Sequence, residues 1–260
     1  MTLPQIRTYE DGSYIRISKI DSYMYWRHNG RYFTAKKDGY KTNGVCSYCG
    51  GSGIYRGDRG WTRCICSILE SEKLLQEYQI FGNSPSRKSL DNFSIWGDSA
   101  SQDALIKATD TVREWLGSLD KWLVMAGGVG VGKSHIMQAI HNHFKPWSLY
   151  LSVADLETHV FNHTNSHDLG DVMEIVSKHP ILLLDDVGAD YGAKYPVAKL
   201  RGVLSGRYDM AWEYPTVLTT NLTIEQLIVY DTRITDRILD KHMSKVISLS
   251  AVKSWRRYGE

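Results

Sequence analysis

Eight consecutive residues, Gly127-Gly-Val-Gly-Val-Gly132-Lys133-Ser134, fit the pattern G-x-x-x-x-G-K-[ST]. In such a loop the backbone N–H groups of Gly127, Gly128, Val129, Gly130, Val131 and Gly132 can curl around phosphate oxygens. A helix opening beyond them adds a favourable dipole. Lys133 is the fixed charge for the β- and γ-phosphates, and Ser134 offers a hydroxyl to Mg²⁺. A glycine-rich turn of the same spelling is the plain alternative. The context opposes it, because an apolar run, Trp122-Leu-Val-Met-Ala126, leads in and a helical run, 135–144, leads out.

A second constellation ends another apolar run, Ile181-Leu-Leu-Leu-Asp185-Asp186. Carboxylates at the end of a buried parallel strand project into the crevice where open α/β sheets bind ligands. Asp185 is expected to hold the Mg²⁺ shell, through water because magnesium dehydrates reluctantly. Asp186 is the candidate for polarising an attacking water. Asn221 closes a third apolar run, Thr216–Thr220, and is placed to orient that water or touch a γ-phosphate; asparagine also ends strands for turn reasons. Arg233 and Arg237 are spaced i, i+4 on a helical pattern. Either could stabilise transition-state charge on a neighbouring subunit, or form a solvated basic face paired with Asp236 and Asp240.

The four cysteines make a separate cluster, Cys46-Ser-Tyr-Cys49 and Cys64-Ile-Cys66, with 14 residues between the pairs. Two close pairs can supply four thiolates to one tetrahedral Zn²⁺, the gap forming a hairpin. A redox C-x-x-C would not need the second pair, although the C-x-C spacing is less usual for zinc. Such a metal would hold a small segment folded where little core is available. Around it, Tyr23, Tyr25, Trp26, Arg27, Arg31, Tyr32, Phe33, Lys36, Lys37, Tyr40 and Lys41 interleave aromatic and basic side chains. That pattern suits single-stranded nucleic acid, a protein interface, or the packing of a small sheet.

The elements that must position these groups follow from hydrophobic patterning. Tyr14–Ser18 alternates as a short strand, and Ser67–Tyr78 reads as a helix. The Gly, Asn, Ser and Pro of Phe81–Lys88 mark a linker. Beyond it, a polar helix (about 99–117), strand 122–126, helix 135–144, strand 148–153, helices near 154–163 and 169–178, strand 181–184, helix 196–211 and strand 216–220 succeed one another. Continuous apolar strands alternating with helices predict a parallel sheet covered on both faces, an α/β fold. The expected organisation is a zinc-binding, partner-binding module over 1–80, a linker over 81–90, and a nucleotide-binding domain over 91–260.

Composition narrows the classes. Residues 1–90 hold 14 Lys and Arg against 8 Asp and Glu, whereas 91–260 hold 17 against 21. A basic front half on a mildly acidic rear half suggests two modules with different partners. No apolar run nears the roughly 18–20 residues a bilayer requires, and the N-terminus lacks a secretion-signal pattern. A cytoplasmic protein with no membrane partner is expected.

Taken in order, the phosphate loop, Leu183-Leu-Asp-Asp-Val-Gly-Ala-Asp190, Gly206-Arg-Tyr208, Pro215-Thr-Val-Leu-Thr-Thr-Asn-Leu222, Asp236-Arg-Ile-Leu239 and Ser254-Trp-Arg256 resemble the AAA+ ATPases of the DnaC/DnaI helicase-loader group, with the IstB transposition ATPases as close relatives. The resemblance covers about residues 80–258, and Ser89-Leu-Asp-Asn-Phe93 is similar to the segment these proteins carry ahead of the core. It implies that Asn221 is sensor 1, Arg237 the arginine finger and Arg256 sensor 2. It also implies ATP hydrolysis, a helicase partner, single-stranded DNA and ATP-dependent homo-oligomers. The Asp-Asp at 185–186 departs from the Asp-Glu of the wider AAA+ pattern, and the helical lid is expected to be much reduced.

Overall fold

The computed structural model describes residues 87–258 apart from 120, 145–147, 163–166, 190–196 and 210–213, and, ahead of residue 87, six short strands. The chain divides into two compact units, Met1–Glu77 and Tyr78–Glu260. In the first, β1 (Tyr23–His28) pairs antiparallel with β2 (Arg31–Lys36), β3 (Lys41–Thr42) with β4 (Val45–Cys46), and β5 (Ile54–Gly57) with β6 (Gly60–Arg63). The β1–β2 connection is Asn29-Gly30, the dipeptide that favours a two-residue hairpin. The β5–β6 hairpin lies within the gap between the cysteine pairs. Cys46 ends β4, while Cys49, Cys64 and Cys66 lie outside the described residues, as do Tyr14–Ser18 and Ser67–Tyr78.

The second unit is built on five parallel strands: β7 (Trp122–Ala126), β8 (Ser148–Ser152), β9 (Ile181–Asp185), β10 (Thr216–Thr220) and β11 (Ser244–Ser248), in the spatial order β11-β7-β10-β9-β8. Every residue of β9 and β10 is buried, as expected for strands covered on both faces. The helices are α1 (Ser99–Ser118), α2 (Lys133–Phe144), α3 (Val153–Asn162), α4 (His167–Lys178), α5 (Val197–Tyr208), α6 (Ile224–Tyr230), α7 (Thr232–Leu239) and α8 (Trp255–Tyr258).

Local chemistry sets their ends. Asp98 caps α1 by accepting from the Ser101 N–H, and its bond from Lys253 holds its carboxyl far below the usual range. At the other end Leu119 takes the left-handed conformation, φ 48°, and returns its N–H to the Trp115 carbonyl. Thr223 and Gln226 form a reciprocal capping box on α6. The topology matters for function because β10 is inserted between β7, which feeds the phosphate loop, and β9, which ends in Asp185. Whatever follows β10 therefore lies between those two groups.

Candidate nucleotide site

The loop between β7 and α2 is fastened from three sides. The Gly127 N–H donates to the Thr220 carbonyl, and the Leu249 N–H donates to the Ala126 carbonyl. The Trp255 N–H donates to the Gly130 carbonyl at 2.8 Å, so the C-terminal segment holds the loop. Gly130 has φ +79°, and a Cβ there would lie 2.4 Å from the Ser254 Oγ. Gly132 has φ +97°, and its Cβ would meet the Phe93 ring at 2.9 Å. Only glycine serves at these two positions.

Lys133 opens α2, and its ammonium spends all three donors locally: on the carbonyls of Gly127 and Gly128 and on the Asn221 Oδ1, each at 2.7 Å. Burial lowers its pKa, against the charges of Asp186 and Asp185. Asn221, immediately after β10, bridges the site by donating from Nδ2 to the Asp186 Oδ1 at 2.8 Å. Asp186 has φ 59°, a left-handed conformation that Asn and Asp accept better than other side-chain-bearing residues. It is held there by its N–H donating to the Thr219 Oγ1 at 2.8 Å. Burial, then the neighbouring Asp185, pushes the Asp186 carboxyl above its ordinary range.

Asp185 is 5% exposed, and each of its oxygens accepts one hydroxyl. Tyr150 donates to Oδ2 and Thr219 to Oδ1, both at 2.5 Å.

A cavity of about 530 Å³ opens over the loop, lined among others by Val129, Gly130, Gly132, Lys133, Ser134, Asp186, Asn221 and Arg256. Segments distant in the chain thus converge on one space at the C-terminal ends of the parallel strands. Its far wall is aromatic. Phe93, Trp96, His135 and Trp255 line it, Trp96 packing on Phe93 and Trp255 with ring centroids 5.6 and 5.2 Å apart. The Trp96 indole is fixed by donation to the Lys253 carbonyl. Trp96, Lys88 and Tyr150 are not legible as site residues, because no motif contains them, and Thr219 reads as strand.

Arg237 lies elsewhere, in a second depression with Tyr208, Arg233, Asp236 and Asp240. It donates to the Arg233 carbonyl and sits 5.4 Å from the centre of the Tyr208 ring. Among the described residues, no group of three or more His, Cys, Asp and Glu could hold a metal. None of the described helices is long and apolar enough to cross a membrane.

Backbone amides and Lys133 at the loop can take a polyphosphate, Ser134 and the two aspartates suit a hydrated divalent cation, and the aromatic wall suits a planar base. With the five-stranded order above, these features define a P-loop nucleotide-binding protein of the AAA+ class. The chain belongs to the family of IstB-like ATP binding proteins, whose model matches residues 79–258. It is 30% identical over 119 residues to the chromosomal replication initiator protein DnaA of Sulfurimonas denitrificans (strain ATCC 33889 / DSM 1251), a match spanning 45% of this chain and 26% of that protein. Among solved structures, DnaI is similar in fold with a TM-score of 0.52 at 24% identity, covering 62% of this chain and 90% of that one. The DnaC helicase loader is similar with a TM-score of 0.51 at 20% identity, covering 62% and 96%.

Proposed function

We propose that this chain is an ATPase that places a replicative helicase on single-stranded DNA. The observation that carries the reading is the convergence of Lys133, Asp186, Asn221 and Arg256 on one cavity above the phosphate loop. Lys133 exchanges the Gly127, Gly128 and Asn221 oxygens for β- and γ-phosphate oxygens. Asn221, released from Lys133, orients the lytic water, and Asp186 accepts a proton from it. Arg256, beside the loop, meets the γ-phosphate within the same chain. Arg237 does not line this cavity, and its depression suits action on the nucleotide of a neighbouring copy. Ser134 and Asp185 would hold Mg²⁺, which would neutralise charge on the β- and γ-phosphates.

The N-terminal unit supplies the partner contact in this reading. Cys46, Cys49, Cys64 and Cys66 bind one Zn²⁺ per chain, and the interleaved aromatic and basic residues meet helicase or DNA. Full-length chain immobilised with ATP should retain a replicative helicase and lose it when Cys46 and Cys64 are both changed to Ser. Retention of a transposase in its place would establish the second reading, a DNA transposition helper.

A further inference from the structure

We propose that Tyr150 is a positioning residue that fixes the magnesium-holding carboxylate of Asp185. The inference rests on the nucleotide–magnesium reading of the site given above.

Tyr150 lies in β8 beside β9, in register with Leu183, two residues before Ser152 pairs with Asp185. Its ring is 8% exposed, packed in the core, and a phenylalanine would fill the same space. The hydroxyl therefore needs its own account, since a buried hydroxyl without a partner is costly. It donates to the Asp185 Oδ2 at 2.5 Å. From the other flank, β10 contributes the Thr219 hydroxyl to the Asp185 Oδ1. One carboxylate is thus gripped at both oxygens by hydroxyls from the strands on either side of it, which fixes its plane.

Each carboxylate oxygen has two acceptor sites, so one per oxygen stays available for a metal-bound water. Magnesium demands near-octahedral geometry and tolerates a rotated ligand poorly. Thr219 has a second task, accepting the Asp186 N–H; Tyr150 acts on Asp185 alone. Loss of an outer partner of this kind typically costs about 10–100-fold in metal affinity.

The test is binding of a fluorescent ATP analogue to full-length chain, first in EDTA and then against rising Mg²⁺. Tyr150→Phe should match wild type in EDTA yet need about tenfold more Mg²⁺ for half-maximal enhancement. Thr219→Ser, which keeps the hydroxyl, should follow the wild-type Mg²⁺ curve, and Thr219→Val should shift as Tyr150→Phe does. A Tyr150→Phe curve superimposed on wild type overturns the inference while leaving the site assignment standing. Equal weakening with and without Mg²⁺ also overturns it, since that is what general loosening of the fold would give. A wild-type chain that binds the analogue indifferently to Mg²⁺ overturns the underlying magnesium reading as well.

Discussion

Asp186 illustrates how a single residue can be poorly suited to its surroundings and well suited to its task. Its left-handed backbone is one that Asn adopts at least as readily, and burial beside Asp185 penalises its charge. A carboxyl whose folded pKa is raised costs stability once the pH exceeds that raised value. The cost is absent below its ordinary value of 3.8. Asp186→Asn should therefore melt at a higher temperature than wild type at pH 7, with the gap closing as the pH falls towards 3.8. Thermal melts across that range check the sign. Turnover should fall about 10²-fold or more with loss of the base. Lys133 and Ser134 stand out in the sequence because a loop that wraps phosphates fixes their spacing, and Asp185 because it ends an apolar run. Tyr150 was not, since its function exists only through a cross-strand neighbour. Trp96 was equally silent: it lies 159 residues from Trp255 in sequence, and the two rings meet only through the fold.

At the scale of elements, one buried cation holds the far end of the sheet. Arg207, at the end of α5, is fully buried and has no carboxylate among its hydrogen-bond acceptors. It donates to the carbonyls of Ser177, His179 and Pro215 and to the Thr216 Oγ1, and lies 5.3 Å from the Tyr214 ring centre. Burial lowers its pKa to about 9. These acceptors precede or open β9 and β10, the two strands whose other ends deliver Asp185 and Asn221. Arg207→Leu removes all four of these hydrogen bonds and should cost about 3 kcal/mol or more in guanidinium denaturation. The Gly206-Arg-Tyr208 motif thus has a structural cause.

Strands β7 to β10 were legible because burial on both faces writes them as apolar runs. Strand β11, Ser-Lys-Val-Ile-Ser, was not, because only Ser244 and Ile247 of it are buried and it carries no such run. Helix α6 escaped for a related reason: Ile224, Ile228 and Val229 are exposed, so its apolar residues do not trace a core face. Helix boundaries elsewhere agree within a few residues, and the α5 expectation of 196–211 contracts to Val197–Tyr208 among the described residues.

At the scale of the whole molecule, the proposed role of Arg237 calls for a second copy of the chain. Arg256 shares the phosphate-loop cavity of its own chain and Arg237 does not. Arg237→Ala should bind ATP nearly as wild type does and hydrolyse it far more slowly, arginine fingers being worth on the order of 10³ in rate or more. Mixing Arg237→Ala with Lys133→Ala chains creates some interfaces with both halves intact, and partial recovery of turnover is expected. Unrecovered turnover in the mixture, with single-stranded DNA and helicase present, would assign Arg237 a role within its own chain. ATP hydrolysis at the phosphate loop is tested by phosphate release per chain, measured for wild type and for Lys133→Ala under identical Mg²⁺. Lys133 meets the polyphosphate through charge-assisted bonds, so its loss should reduce turnover by about 10²-fold or more, to background. Turnover in Lys133→Ala equal to that of wild type would contradict the account.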